Sequence, residues 1–218
     1  MTLRIAVLAS GNGTNFQALH DACTTGYVDA EIVCVLTNKR AAGVMERADA
    51  AGVEGVVVPH KGLDRDVVDE LIVKELEARS VDVACNAGYM RIRGKAYCEA
   101  LGGRNFNIHP SLLPAFPGAH PIRDAWEWGV KTSGVTVHFA TEDLDGGPII
   151  VQRAVDISPH DTISSFESKI HVAEYALYPR ALKLYAEGKL KIEGRTVTIT
   201  EDVEEPPWSG TLPPGLRA

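Results

Sequence analysis

The sequence predicts an α/β fold: a mostly parallel twisted sheet with helices on both faces and an antiparallel edge in the C-terminal half. Three observations carry this. Through the first half, short apolar runs alternate with segments of helical period, as in strand–helix–strand units whose strands are buried on both faces. In the second half two apolar runs, 134–140 and 149–156, have no helical segment between them, so they are expected to pair as antiparallel neighbours. The longest helical period in the chain, over 162–187, follows them.

Residues 3–9 (Leu-Arg-Ile-Ala-Val-Leu-Ala) read as the first strand. A helix follows from about Asn15 to Thr24, then a strand at 31–37, a helix around 43–51, a strand at 55–58 and a helix at 65–78. Further strands fall at 81–85 and 104–108. In the long helix, Ile163, Phe166, Ile170, Ala173, Leu177, Ala181 and Leu184 step by three or four and therefore share one stripe. Pro179 has no amide hydrogen and is expected to kink that helix or divide it. Residues 1–200 show no repeat and no linker, which predicts one domain. The tail 201–218, with Pro206, Pro207, Pro213 and Pro214, is expected to lie extended over the surface or to be partly disordered.

Composition narrows the function classes. With 45% hydrophobic and 23% charged residues, 218 residues can build a real core. A formal charge of −7 argues against broad nucleic-acid binding, which needs a basic surface to displace counterions. One anionic group could still bind through backbone amides and a few basic side chains. Cys23, Cys34, Cys85 and Cys98 stand far apart, without the spacing of a zinc knot or a redox dithiol, and free thiols in a reducing cytoplasm are expected. The first apolar run is too short for a signal peptide, and no window approaches a membrane span.

Chemistry concentrates in three places. The first strand runs into Ser10-Gly11-Asn12-Gly13-Thr14-Asn15, where a helix begins. Glycines let backbone approach a ligand, and the free amides of a helix start attract an anion. Gly-x-Gly alone is a weak signal that also fits a tight turn without a ligand. A dinucleotide site would need a third glycine where Phe16 stands and a carboxylate after the second strand, where the chain has Thr37-Asn38-Lys39. NAD is therefore not expected, and a lone phosphate group is the better ligand.

The second place is Asn105-Phe106-Asn107-Ile108-His109-Pro110. Asn107 and His109 flank one residue, so in extended backbone their side chains point the same way, and Pro110 is expected to end the strand. That puts an amide donor and an imidazole at the carboxyl edge of a parallel sheet, where open α/β folds bind ligands. The pair suits a carbonyl oxygen that gains negative charge. The third place is Leu144-Asp145-Gly146-Gly147-Pro148, in a connection longer than a tight hairpin needs. Asp145 could orient His109 or a water.

Together with Asn-Ala-Gly-Tyr-Met-Arg-Ile at 86–92 and Asn-Ile-His-Pro-Ser-Leu-Leu-Pro at 107–114, these segments resemble the glycinamide ribonucleotide formyltransferase family. The resemblance runs from Ser10 to Tyr178-Pro179, nearly the whole chain. It implies a Rossmann-like fold, 10-formyltetrahydrofolate as co-substrate, no metal, and Asn107, His109 and Asp145 as the catalytic trio. It implies that Gly13, Thr14 and Asn15 hold the ribonucleotide phosphate and that His171 and Glu174 face the ribonucleotide from the long helix. The folate site it implies comprises Arg65, Met90, Arg91, Ile92, Arg93, Asn107, Thr141, Glu142, Asp143 and Leu144. The family usually has an aliphatic residue where this chain has Arg93.

The expected partners are the two small-molecule substrates, without nucleic acid or membrane, and a homodimer is the assembly in view. A methionyl-tRNA formyltransferase would need an RNA-binding domain and a basic surface. A formyltetrahydrofolate deformylase normally carries an N-terminal regulatory domain, whereas the first strand here starts at residue 3. A non-catalytic nucleotide-binding module has no reason to bring Asn107, His109 and Asp145 together.

Overall fold

The computed structural model describes residues 2–91 and 93–217. Seven strands form one sheet: β1 (Leu3–Leu8), β2 (Ala30–Thr37), β3 (Glu54–Val57), β4 (Val83–Asn86), β5 (Asn105–His109), β6 (Thr132–Phe139) and β7 (Ile149–Asp156). Their order is β3-β2-β1-β4-β5-β6-β7. The first five run parallel, and β6 is antiparallel to both β5 and β7. The predicted Rossmann-like sheet with an antiparallel edge is the observed one.

Residue alternation sorts the core into two layers. Ile5 and Val7 of β1 join one apolar cluster with Phe16 and Leu19 of α1 (Thr14–Thr24) and Phe166, Ile170 and Leu177 of α6 (Ile163–Ala186). Ala6 and Leu8 join the other, with Val68, Ile72 and Leu76 of α3 (Arg65–Ala78) and Tyr97 of the next helix, Lys95–Leu101. Successive strand side chains point to opposite faces, so a β1 apolar throughout needs helices on both. The strand order reverses between β1 and β4, and the segments that leave their carboxyl ends, 10–13 and 87–91, flank one crevice.

Pro179 does not divide α6, which runs unbroken from Ile163 to Ala186 with the proline inside it. A proline at 179 leaves the carbonyl of residue 175 without its helical donor. The indole Nε1 of Trp208 supplies one instead, donating to the Tyr175 oxygen at 3.0 Å. Trp208 itself is 2% exposed, so the 201–217 segment is part of the packing of α6. The same segment reaches α1, where the Gly215 amide donates to Asp21 Oδ2 at 2.7 Å. A capping box opens α6: Thr162 and Ser165 exchange side-chain-to-amide hydrogen bonds.

Besides a short 3-10 turn at Pro214–Leu216, four elements were not among those predicted. They are the helix Lys95–Leu101 (α4), the helix Pro121–Trp128 (α5), and the antiparallel hairpin Leu190–Glu193 with Thr196–Ile199. No helix among the described residues is long and apolar enough to cross a membrane.

Candidate active site

A cavity of about 690 Å³ opens at the crevice between β1 and β4. The glycine loop lines one end, the 86–91 segment and Arg93 line another, and the 140–145 connection closes over the carboxyl end of β5.

At the glycine end, Gly13 caps α1 with φ +75°, and a Cβ there would lie 2.7 Å from Val44. Both the left-handed backbone and the close approach require glycine. Having no side chain, it gives α1 no cap, which leaves first-turn amides open to an anion. Thr14, Asn15, His171, Glu174 and Tyr175 border the same end. Asn15 Nδ2 donates to Glu174 Oε2 at 3.1 Å, and His171 Nδ1 lies 2.9 Å from the same oxygen. Glu174, 4% exposed, thus ties the starts of α1 and the site face of α6 together and is no solvated surface group. The hydrogen bond that His171 donates to Glu174 raises the His171 pKa above the usual imidazole value. Ser10 faces away from the cavity: its hydroxyl donates to Asn38 Oδ1 at 2.7 Å and accepts from the Met90 amide at 3.0 Å.

At the end of β5, Asn107 and His109 project to the same side and Pro110 follows the strand, as the alternation predicts. His109 Nε2 donates to the Phe116 carbonyl at 2.8 Å, and Nδ1 stands 3.5 Å from Asp145 Oδ2. Both ring nitrogens therefore face acceptors. Asp145 reaches in from the β6–β7 connection with φ +52°, and its Oδ2 accepts from the Gly118 amide at 2.8 Å. Gly147 lets that connection fold back, since a Cβ there would collide with the Phe139 carbonyl oxygen.

A fourth polar residue, His138, was not anticipated. It sits on β6 directly opposite Asn107, and its Nε2 is 3.0 Å from Asn107 Nδ2 and 3.9 Å from Asp145 Oδ1. His138 Nδ1 donates to the Phe139 carbonyl at 3.0 Å, so Nε2 is the acceptor and the Asn107 amide must turn its NH₂ toward it. One N–H of Asn107 is thereby fixed and the other stays free for a ligand. The alternation Thr136-Val137-His138 puts this histidine in line with Thr136, but only the β5–β6 register shows that it meets Asn107.

Burial pushes the His138 pKa below the usual imidazole value of about 6.5. As pH falls from that value toward the folded one, the unfolded chain takes a proton that the folded chain refuses, so stability drops. His171 works in the opposite sense: its contribution is complete below about pH 6.5 and is lost as pH rises through its raised folded value. Melting temperature followed against pH should show His138→Gln flattening the acid side and His171→Gln the alkaline side. Unchanged slopes in both variants would contradict these environments.

The folate assignments divide. Met90, Arg91, Arg93, Asn107, Thr141, Asp143 and Leu144 line the cavity. Glu142 instead borders a separate cavity of about 350 Å³ between α4 and the β6–β7 connection. Arg65 is exposed at the start of α3 beside Asp66 and lies outside the cavity wall. Ile92 lies outside the described residues.

An amide, an imidazole and a carboxylate lining one cavity suit an acyl carbon whose oxygen gains charge during group transfer, the chemistry of an acyl-transfer class of protein. The chain belongs to the formyl transferase family, whose model matches residues 3–182. It is 39% identical over 191 residues to phosphoribosylglycinamide formyltransferase of Escherichia coli, an alignment covering 87% of this chain and 90% of that one. It is 44% identical over 188 residues to the trifunctional purine biosynthetic protein adenosine-3 of Drosophila melanogaster, with 85% of this chain covered. The chain spans about a fifth or less of the length of the trifunctional relatives it matches. Among solved structures, glycinamide ribonucleotide transformylase 1 from Symbiobacterium toebii superposes with a TM-score of 0.89 at 43% identity, covering 92% of this chain and 95% of that one.

Proposed function

We propose that this enzyme transfers the formyl group of 10-formyltetrahydrofolate to the amine of glycinamide ribonucleotide, a step of purine biosynthesis. The observation that carries the reading is the meeting of Asn107, His109 and Asp145 in one cavity that also reaches the uncapped start of α1. The amine attacks the formyl carbon and a tetrahedral oxyanion forms. The free N–H of Asn107 donates to that oxygen, and with Nε2 held by Phe116, the Nδ1–H of His109 is the proton available to the reacting centre. Collapse breaks the bond to folate N10, and the amine's proton passes to that leaving nitrogen with Asp145 as its relay, giving formylglycinamide ribonucleotide and tetrahydrofolate. Holding two substrates in register supplies much of the rate. Relatives named for phosphoribosylglycinamide formyl transfer support this choice of amine, and four free thiols suit a reducing cytoplasm.

The test is a formyl-transfer assay with both substrates. Transfer to the ribonucleotide amine is the expected result; release of free formate without transfer would make the enzyme a hydrolase and overturn the reading. The uncapped α1 start adds a second expectation. Inorganic phosphate or sulfate should compete with the ribonucleotide, and NAD should show no binding by calorimetry. Micromolar NAD binding would contradict the lone-phosphate assignment.

A further inference from the structure

Pro179 leaves α6 one backbone hydrogen bond short, and the gap falls beside the glycine-loop end of the cavity. The orphaned carbonyl is that of Tyr175, and the Trp208 indole donates to it at 3.0 Å from within the core. A chain of contacts leads from there into the cavity. The Tyr175 ring stacks on His171, with centroids 6.1 Å apart. His171 Nδ1 and Asn15 Nδ2 both bond Glu174 Oε2, at 2.9 and 3.1 Å. Asn15, His171, Glu174 and Tyr175 all line the cavity, whereas Trp208 does not. The indole is held from outside it. Its ring meets Tyr27 edge-on, centroids 6.2 Å apart, and the Tyr27 hydroxyl donates to the Glu204 carbonyl at 2.6 Å. Beyond Trp208 the tail is tied to α1, through the Gly215 amide and Asp21.

We propose that Trp208 is a positioning residue for ribonucleotide binding: its indole N–H stands in for the donor that Pro179 lacks and so sets where Tyr175, His171 and Glu174 stand in the cavity. The inference rests on the ribonucleotide reading of the glycine-loop end. A buried carbonyl without a donor is costly, so a helix deprived of the indole shifts until that oxygen finds another partner. The shift falls in the turn of α6 that carries the three cavity residues. It bypasses Asn107 and His109 on β5 and Asp145 in the β6–β7 connection, whose side-chain hydrogen bonds run to His138, Phe116 and Gly118. The tail therefore acts on how tightly the ribonucleotide is held and leaves the chemical step alone.

The experiment is steady-state kinetics on Trp208→Phe, which keeps an aromatic ring in place and deletes the donor, with the ribonucleotide and 10-formyltetrahydrofolate varied in turn. The ribonucleotide KM should rise roughly three- to tenfold, the factor one hydrogen bond is worth, with kcat and the folate KM unchanged. In a Pro179→Ala background residue 179 donates to the Tyr175 carbonyl itself, and Trp208→Phe should no longer move that KM. Coupling is reciprocal, so the ribonucleotide should slow hydrogen exchange of the wild-type Trp208 indole N–H by a similar factor, and the folate alone should not. That measurement decides the matter should Trp208→Phe fail to fold. A Trp208→Phe enzyme that melts lower but keeps the wild-type KM overturns the positioning role, because the indole would then only stabilise the fold. A loss confined to kcat overturns it too, as does indole exchange that the ribonucleotide leaves unchanged. A KM rise that persists in the Pro179→Ala background also overturns it, since the missing hydrogen bond would not be its cause. Wild-type protein that transfers no formyl group to the ribonucleotide overturns the ribonucleotide reading and this inference together.

Discussion

Replacing Asp145 by Asn is expected to lower kcat at least about a hundredfold, the scale for losing an acid–base partner, without unfolding the protein. The geometry makes this a clean subtraction of charge. Asp145 holds a left-handed backbone, φ +52°, which Asn adopts as readily as Asp. Its Oδ2 accepts from the Gly118 amide, a bond that an Asn carbonyl oxygen can keep. What the substitution removes is the anion 3.5 Å from His109 Nδ1 and 3.9 Å from His138 Nε2. The proposed proton relay then lacks its base, and the His109 ring its carboxylate partner. Steady-state kinetics with the melting temperature measured alongside checks both halves. Activity within a few-fold of the parent enzyme would remove Asp145 from the chemistry.

How much of this was legible in the sequence follows from the range of the interactions involved. The sheet was readable because β1 and β2 are apolar on both faces, a purely local pattern, and α6 because its stripe repeats over six turns. Asn107 and His109 were readable because their alternation fixes a shared direction and Pro110 fixes where the strand stops. His138 was not, since its role depends on facing Asn107 across an antiparallel register that no local signal sets. That Pro179 leaves α6 undivided was hidden for a similar reason. Pro179 is a true local defect, and its remedy, the Trp208 indole, comes from 29 residues further along, as their numbers show. The helix α5 carried readable signals, Pro121 at its first turn and left-handed Gly129 at its end, but its eight residues are too few for a firm period. Side-chain direction also escaped the sequence: Glu142, next to three cavity-lining neighbours in a connecting loop, turns to the other side of it.

Glu174→Ala and His109→Ala should separate binding from chemistry. Glu174 is buried at the glycine-loop end of the cavity, where the proposed reaction places the ribonucleotide and where one carboxylate oxygen already serves Asn15 and His171. On the proposed reading it touches the ribonucleotide alike in the ground state and the transition state, and removing such uniform binding raises KM with little change in kcat. The expected rise in ribonucleotide KM is roughly ten- to a hundredfold, the range for hydrogen bonds to a charged group. His109 lies 3.5 Å from Asp145, and in the proposed reaction it acts on the oxyanion, a charge that exists only near the transition state. Its loss should lower kcat by about a hundredfold to ten-thousandfold, with the ribonucleotide KM nearly unchanged. The measurement is steady-state kinetics at saturating folate with the ribonucleotide varied. If Glu174→Ala leaves that KM where it was, the carboxylate only braces α1 against α6 and does not touch substrate. If His109→Ala moves KM alone, the histidine binds substrate and the oxyanion depends on Asn107 without it.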